Sequence, residues 1–159
     1  DLHKAIRRQR QMCIRDRIRF ACEQLRDWQD MDAPVQLWIM LGTNDLLQER
    51  QFTAEDTAQR MEAFLKKIMA EPAVSDGKIT LRLIAPARME YGVWVDEERL
   101  YLESRRLGEA YRKVAERMEI EFTDAGKWEI PVVYDGVHFS EKGHHIFAQK
   151  IQEELTWLR

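Results

Sequence analysis

Short apolar runs alternate along this chain with longer amphipathic stretches, and that alternation limits the folds open to it. Residues 35–41, VQLWIML, are too short for a helix and too apolar for a half-exposed strand, which indicates a buried strand of a parallel sheet. Residues 79–85 predict a second strand, stopped by Pro86, and residues 120–122 predict a short third one. The chain is therefore expected to build a sheet that is covered on both faces.

The stretches between these runs have the spacing of amphipathic helices. Thr53 is the expected N-cap of a helix after the first strand. A long helix is predicted over residues 96–118, and a final helix should begin after Ser140. The resulting order, βαβαβα, favours right-handed crossovers and predicts an α/β fold with helices on both faces of a parallel sheet.

Length and charge limit the partners. At 159 residues and 45% hydrophobic, the chain is long enough for one domain with a core. Its net charge of −3 gives no reason to expect nucleic acid or an anionic membrane as a partner. The sequence has neither an apolar run long enough to span a membrane nor a leader-like start. We therefore expect a cytoplasmic location, with no nucleic-acid or membrane partner.

The first thirty residues differ in charge from the rest of the chain. They hold 8 Lys and Arg against 5 Asp and Glu, whereas the remainder holds 17 against 23. This asymmetry predicts a basic, helical segment at residues 1–32 and a main domain at residues 33–159. Cys13 and Cys22 lie in the basic segment without metal-binding spacing and are expected to be free thiols. The run QMCIRDR also resembles translated adapter sequence, which favours a non-native stretch before about Arg17.

The first motif that suggests chemistry is GTND at residues 42–45, directly after the first apolar run. In open α/β sheets, ligands bind at the carboxyl ends of the strands. There the Asn44 amide can donate to an oxygen that becomes negative in a tetrahedral intermediate, while Gly42 lets the backbone turn tightly. Asp45 is expected to brace the loop. The alternative is that Thr43, Asn44 and Asp45 merely cap a helix.

The second motif is DGVH at residues 135–138, just before the final helix. A carboxylate three residues before a histidine, in a Gly-containing loop, can bond one ring nitrogen and leave the other as a general base. One alternative is a surface aspartate and a histidine satisfied by the backbone. Another is a metal site formed by Asp135, His138, His144 and His145, which no second carboxylate cluster supports.

Together, LWIMLGTNDLL and YDGVHFSEKGHHIFAQKI resemble the third and fifth conserved blocks of the SGNH (GDSL-type) hydrolases, which are esterases and lipases. The resemblance covers roughly residues 33–158. It implies a three-layer, flavodoxin-like α/β/α sandwich that hydrolyses carboxylic esters, namely small acyl or acetyl esters, through an acyl-enzyme. It assigns His138 as the general base and Asp135 as its orienting partner. Asn44, beside Gly42, becomes an oxyanion donor, and the mechanism implies no metal and no cofactor.

The nucleophile block of that family is not present in this sequence. SGNH enzymes carry the serine in a GDS motif after their first strand and a second oxyanion donor on a glycine in the next block. Here no serine precedes Ser75 and no glycine precedes Gly42. Ser75, Ser104 and Ser140 are expected in a turn, inside a helix and at a helix cap, so none suits the role. We therefore expect an N-terminally truncated fragment, with the first strands missing, that is inactive as it stands.

Two other hypotheses stay open. One is a genuine serine-less member of the family that binds an ester or glycan without hydrolysing it. The other is an unrelated flavodoxin-like binding module, for which phosphate-binding glycines would be expected. The sequence upstream of residue 17 separates the serine-less member from the truncated esterase, since only the esterase requires a GDS block there.

Two further expectations concern surfaces. In the family's sheet order, the missing first strand lies beside residues 35–41, so this run would become an exposed apolar edge. We therefore predict self-association through strand 35–41 unless the N-terminal helix covers it. In the loop at residues 86–95, the side chains of Met89, Tyr91 and Trp94 either line a substrate pocket or pack on the core.

Overall fold

The chain forms a parallel sheet of three strands in the part that the structure describes. The structure is a computed structural model, and it describes residues 14–30 and 35–156. The strands are β1 (Val35–Ile39), β2 (Ile79–Ala85) and β3 (Glu121–Asp124), in the order β1-β2-β3. Both pairings are parallel, as the alternation of apolar and amphipathic stretches predicted.

The outer strands differ from their predicted bounds by one or two residues. β1 ends at Ile39 rather than at residue 41, because the Leu41 carbonyl turns away and accepts a hydrogen bond from the Tyr111 hydroxyl (2.8 Å). β3 covers residues 121–124, because its backbone pairs with β2 up to the last residue of that strand. β2 has the predicted bounds.

Helices fill the connections, as the amphipathic spacing predicted. In chain order the elements are α1 (Ile14–Asp27), α2 (Thr43–Gln48), α3 (Ala54–Met69), α4 (Pro72–Ser75), α5 (Glu98–Met118), a 3-10 turn (Ala125–Lys127) and α6 (Glu141–Thr156). Thr53 caps α3, since its hydroxyl accepts the Asp56 N–H (3.1 Å) and the Asp56 carboxylate accepts the Thr53 N–H (2.9 Å). None of the helices described is long and apolar enough to cross a membrane.

Helices cover both faces of the sheet, which gives three layers. Ile79, Leu81 and Leu83 alternate along β2 toward one face and join the core with α1, α3 and α5. Arg82 points to the opposite face, where Glu154 of α6 meets it. The predicted α/β fold with a parallel sheet between helical layers is confirmed.

A buried arginine fastens α6 to the sheet. Arg82 donates hydrogen bonds to Glu121 of β3 (2.6 Å), to Glu154 of α6 (3.0 Å) and to the Thr123 hydroxyl (2.8 Å). The guanidinium also lies 5.1 Å from the ring centroid of Trp38. Two carboxylates thus offset the desolvation of one buried charge. The helix that follows the DGVH motif is therefore fixed to the sheet.

The basic N-terminal segment is helical where the structure describes it. Helix α1 buries Ile14 and Leu25, both 1% exposed, in the core, and Cys22 is a half-buried free thiol. Residues 1–13, which include Cys13 and most of the stretch predicted to be non-native, lie outside the described residues. The predicted boundary between residues 32 and 33 also lies outside them and stays a prediction.

Strand β1 is an edge strand of the described sheet. The Val35 N–H donates to the Lys78 carbonyl at the start of β2 (3.4 Å). Because alternate residues of a strand direct their backbone groups to opposite sides, those of Gln36 and Trp38 face away from β2. No strand in residues 35–156 pairs with this side. The predicted open edge is present in the described region, and self-association through it stays a prediction.

Candidate active site

The GTND loop follows β1 and contacts the fully buried Tyr111. Gly42 has a φ of 123°, and a Cβ built on it would overlap the Tyr111 hydroxyl. The same hydroxyl donates to the Leu41 carbonyl (2.8 Å). Position 42 therefore requires glycine both for its backbone conformation and for space.

Asn44 lies half-buried in the first turn of α2, immediately after this bend. The N-cap position belongs to Gly42, and no side-chain capping hydrogen bond is present at α2. The alternative in which the polar residues of the motif serve as a helix cap is therefore not what the structure shows. Asn44 instead lies in the first turn of the helix that follows the carboxyl end of β1, where the sequence predicts an oxyanion donor.

Asp45 braces the loop, as the sequence predicted, through contacts with two distant segments. Its Oδ2 accepts the Ile14 N–H at the start of α1 (3.0 Å), and its Oδ1 accepts a hydrogen bond from Arg60 of α3 (3.1 Å). Complete burial raises the pKa of the Asp45 carboxyl, and these two donors oppose that rise. Asp45 thereby ties the loop to α1 and α3.

Asp135 and His138 form the predicted pair. The Nδ1 atom of His138 lies 2.7 Å from Oδ2 of Asp135. The Oδ1 atom of Asp135 accepts the backbone N–H groups of Val137 (2.8 Å) and His138 (2.9 Å). Asp135 is only 6% exposed, whereas the imidazole is 58% exposed. The alternative was a surface aspartate and a histidine satisfied by the backbone. The structure shows instead a buried aspartate in contact with the histidine ring.

The charge on Asp135 fixes the role of each histidine nitrogen. Burial alone would raise the pKa of the Asp135 carboxyl, but the N–H groups of His138 and Val137, together with the imidazole, lower it below its usual value. An ionised Asp135 accepts a hydrogen bond from the N–H group at Nδ1 of His138. Nε2 is then the nitrogen that can take a proton from a nucleophile.

Asp135 and His138, together called the dyad, lie in a loop of residues 132–139. Backbone hydrogen bonds hold this dyad loop. It closes on itself, since the Val133 N–H donates to the His138 carbonyl (2.8 Å) and the Gly136 N–H donates to the Val133 carbonyl (3.0 Å). Gly136 has a φ of 83°, and a Cβ there would overlap the Glu90 carbonyl oxygen. A glycine in the motif therefore permits the turn that brings Asp135 back to His138.

The dyad loop also pairs with the Trp94 loop, residues 90–95. The Glu90 N–H donates to the Gly136 carbonyl (3.0 Å), and the Trp94 N–H donates to the Asp135 carbonyl (3.0 Å). The Trp94 indole meets the His138 imidazole in a T-shaped contact, with ring centroids 5.0 Å apart. For Trp94 the sequence left two roles open, pocket or core, and the structure places its ring against His138.

The other two loop residues singled out by the sequence do not contact the dyad in this way. Met89 is buried in the core, and its N–H donates to the Ser104 hydroxyl (3.1 Å). Tyr91 stacks on Tyr101 of α5, with ring centroids 4.6 Å apart.

Both motifs lie at the carboxyl edge of the sheet. Residues 42–45 follow the carboxyl end of β1. The Trp94 loop, which pairs with the dyad loop, follows the carboxyl end of the adjacent parallel strand β2. Parallel strands align these ends along one edge. The structure therefore joins Asp135 to His138 directly and places Asn44 at the same edge.

Each of the three serines in the chain has its hydroxyl engaged with nearby backbone. Ser75 donates to the Pro72 carbonyl in the last turn of α4 (3.2 Å). Buried Ser104 donates to a carbonyl of its own helix. Ser140 donates to the Pro131 carbonyl (3.1 Å) and accepts the Gly143 N–H (3.1 Å), which makes it the predicted cap of α6.

The metal alternative finds no support in the side-chain positions. Across residues 14–30 and 35–156, no three His, Cys, Asp or Glu side chains come close enough to hold a metal ion. His144 lies edge-on against Phe139, with ring centroids 5.4 Å apart, while Asp135 is engaged by His138.

A parallel α/β/α sandwich carries an Asp–His pair and an asparagine-containing loop at one edge of its sheet. The chain matches the model of the GDSL-like Lipase/Acylhydrolase family over residues 12–146, and it belongs to that family. As the name of the family states, its class is that of ester-cleaving hydrolases. No curated protein shows significant similarity to the chain.

Several solved structures share the fold. Est24, a carbohydrate acetylesterase from Sinorhizobium meliloti, has a TM-score of 0.69 and 19% identity, and the match covers 87% of this chain and 68% of that one. The native M. smegmatis aryl esterase has a TM-score of 0.70 and 20% identity, with coverage of 87% and 68%. A lipolytic G-D-S-L family protein from Veillonella parvula DSM 2008 has a TM-score of 0.62 and 18% identity, with coverage of 91% and 75%. The chain thus spans about two thirds of the length of the two esterases.

Proposed function

We propose that the protein is a hydrolase of carboxylic esters with small acyl groups, and that this chain supplies the base and one oxyanion donor but not the nucleophile. The observation that carries the proposal is the 2.7 Å contact between His138 Nδ1 and the buried Asp135, on an imidazole that is 58% exposed. A histidine oriented in this way, at the sheet edge where ligands bind, is a candidate general base.

The geometry supports an acyl-enzyme mechanism. His138 Nε2 takes the proton of a nucleophilic hydroxyl as its oxygen attacks the ester carbonyl carbon. Asp135 stabilises the imidazolium that forms, and the Asn44 amide donates to the oxyanion. The tetrahedral intermediate collapses as Nε2 returns the proton to the leaving alcohol oxygen. Water then hydrolyses the acyl-enzyme by the same proton transfers, which restores the nucleophile and releases the acid.

We place the nucleophile in sequence that precedes this chain in the full protein. The three serine hydroxyls of the chain are engaged with backbone groups. The resemblance to SGNH enzymes implies a serine ahead of the GTND block. β1 also has an open side at the point where a preceding strand would place its carboxyl end beside Asn44. As it stands, the chain is expected to show background hydrolysis.

The names of the structural neighbours favour small or acetyl esters as the substrate class. One neighbour is a carbohydrate acetylesterase and another is an aryl esterase. Both names state the cleavage of an ester, and the first adds an acetyl group, so we propose a small acyl group for the substrate of this protein.

Covalent labelling tests the proposal. Fluorophosphonate reacts with an activated serine hydroxyl, and intact mass spectrometry then reports one added phosphonyl group. We expect no labelling of this chain and stoichiometric labelling of the chain extended by its genomic upstream sequence. The label should be lost when the extended chain carries His138→Ala. An extended chain that has no GDS block and takes no label would instead support a serine-less binding module.

A further inference from the structure

Trp94 lies beside the imidazole that would return a proton to the leaving alcohol of an ester. Since Asp135 occupies Nδ1, the proton that His138 returns to the leaving oxygen comes from Nε2. The group attached to that oxygen therefore lies against the exposed part of the imidazole. The Trp94 indole is the aromatic neighbour of that imidazole, with ring centroids 5.0 Å apart and planes at 76°.

Backbone contacts hold Trp94 in a fixed relation to the base. The Trp94 N–H donates to the Asp135 carbonyl (3.0 Å), and the Val93 N–H donates to the Tyr134 carbonyl (3.1 Å). At Gly92, a Cβ would stand 2.5 Å from the Asp135 carbonyl carbon, so the two loops approach as closely as backbones allow. Trp94 is therefore part of a wall that is set by the dyad loop itself.

This wall exposes two apolar side chains and the ring of a tyrosine. Val93, Trp94 and Tyr134 are 69%, 43% and 82% exposed. Of the nearby acids, Glu90 pairs with Arg105 and Asp135 pairs with His138. A site that binds a hydroxyl-rich ring needs polar groups to receive the hydroxyls, whereas an apolar ring gains from aromatic contact alone.

We propose that Trp94 forms the leaving-group subsite and binds the ring of an aryl alcohol beside His138. The proposal rests on the ester-hydrolase function proposed above and adds a specificity residue to it. One aromatic pair is worth about twofold to tenfold in affinity, so Trp94 should discriminate among leaving groups without being required for the chemistry.

Phenol binding to the full chain tests the subsite without requiring a nucleophile. NMR spectra follow the Trp94 indole N–H and the His138 ring C–H signals during titration. Both signals should shift saturably, and Trp94→Ala should weaken binding about fivefold. Trp94→Phe should retain most of the affinity, which separates loss of the ring from loss of folding. Phe20→Ala, which removes a 55% exposed ring on α1, is the matched control and should change nothing.

Two outcomes overturn the subsite. One is a methyl glucopyranoside that binds as tightly as phenol or more tightly. The other is a phenol affinity that is the same in the Trp94→Ala variant. The fluorophosphonate experiment fails independently of this one. Phenol binding without labelling of the extended chain rejects the esterase and with it the leaving-group role, and leaves Trp94 as an aromatic-binding residue only. Labelling without phenol binding rejects the subsite alone.

Discussion

The two halves of the candidate site are held in different ways. The dyad loop is held by hydrogen bonds within the loop and by hydrogen bonds to the Trp94 loop. The GTND loop leaves an edge strand that pairs on one side only in the described region, and it depends on Tyr111, Arg60 and Ile14 from elsewhere. The proposed base half is thus held by contacts within this chain, whereas the proposed oxyanion half borders a side of β1 that no described strand occupies.

This difference assigns separate physical tasks to the two motifs. A base needs one fixed nitrogen and one open nitrogen, which a short loop with a buried carboxylate provides locally. An oxyanion donor must be placed relative to a nucleophile, so it depends on the neighbouring strand. Changes in the GTND loop should therefore propagate into the fold, whereas changes in the dyad should stay local.

Gly42→Ala should have the largest effect. The new Cβ overlaps the Tyr111 hydroxyl at a φ of 123°, and strain plus overpacking should lower the free energy of unfolding by about 3 kcal/mol. Urea denaturation measures it. The control is Gly77→Ala, where φ is 78° but no atom lies within 4 Å of the Cβ, and it should cost about 1 kcal/mol. Equal losses would show that packing around the GTND loop is loose.

Asp135→Asn should cost about 2 kcal/mol at neutral pH, because a charged acceptor of three hydrogen bonds becomes neutral. It should also change the pH dependence. The folded pKa of Asp135 lies below the unfolded value of about 3.9, so its contribution is complete above that value and is lost as pH falls through the folded pKa. The variant should lack this acid-side loss. An unchanged profile would mean that Asp135 is not ionised against His138.

Tyr111→Phe should cost about 1 kcal/mol, because the Leu41 carbonyl loses its donor while the ring remains packed. The side-chain amide signals of Asn44 should shift in NMR spectra, and the His138 signals should not. A shift of the His138 signals of similar size would show that the GTND loop and the dyad loop are coupled, so they would not be held independently.

The smallest effect concerns the open edge. Amide exchange at Gln36 and Trp38, whose N–H groups face away from β2, should slow as protein concentration rises to tens of micromolar. Exchange at Leu37 should stay slow at all concentrations. A monomer by size-exclusion chromatography with unchanging exchange would reject self-association.

Much of this fold and half of the site could be predicted from local sequence. Apolar runs located the strands, and the spacing of Asp135 and His138 across a glycine predicted their contact, because all of these depend on residues close in sequence. The early end of β1 could not be predicted, since Tyr111 acts on Leu41 from seventy residues away. The contacts of Asp45 with Ile14 and of Trp94 with His138 are likewise set by packing between distant segments.

Hydrolysis of p-nitrophenyl acetate tests whether the nucleophile lies outside this chain. The rate is measured for this chain and for its upstream-extended form, each with and without His138→Ala. We expect this chain to be no faster than an equal concentration of free imidazole. We expect the extended form to be faster by orders of magnitude and to lose that rate with His138→Ala. Saturable, His138-dependent hydrolysis by this chain would show instead that the nucleophile lies within it.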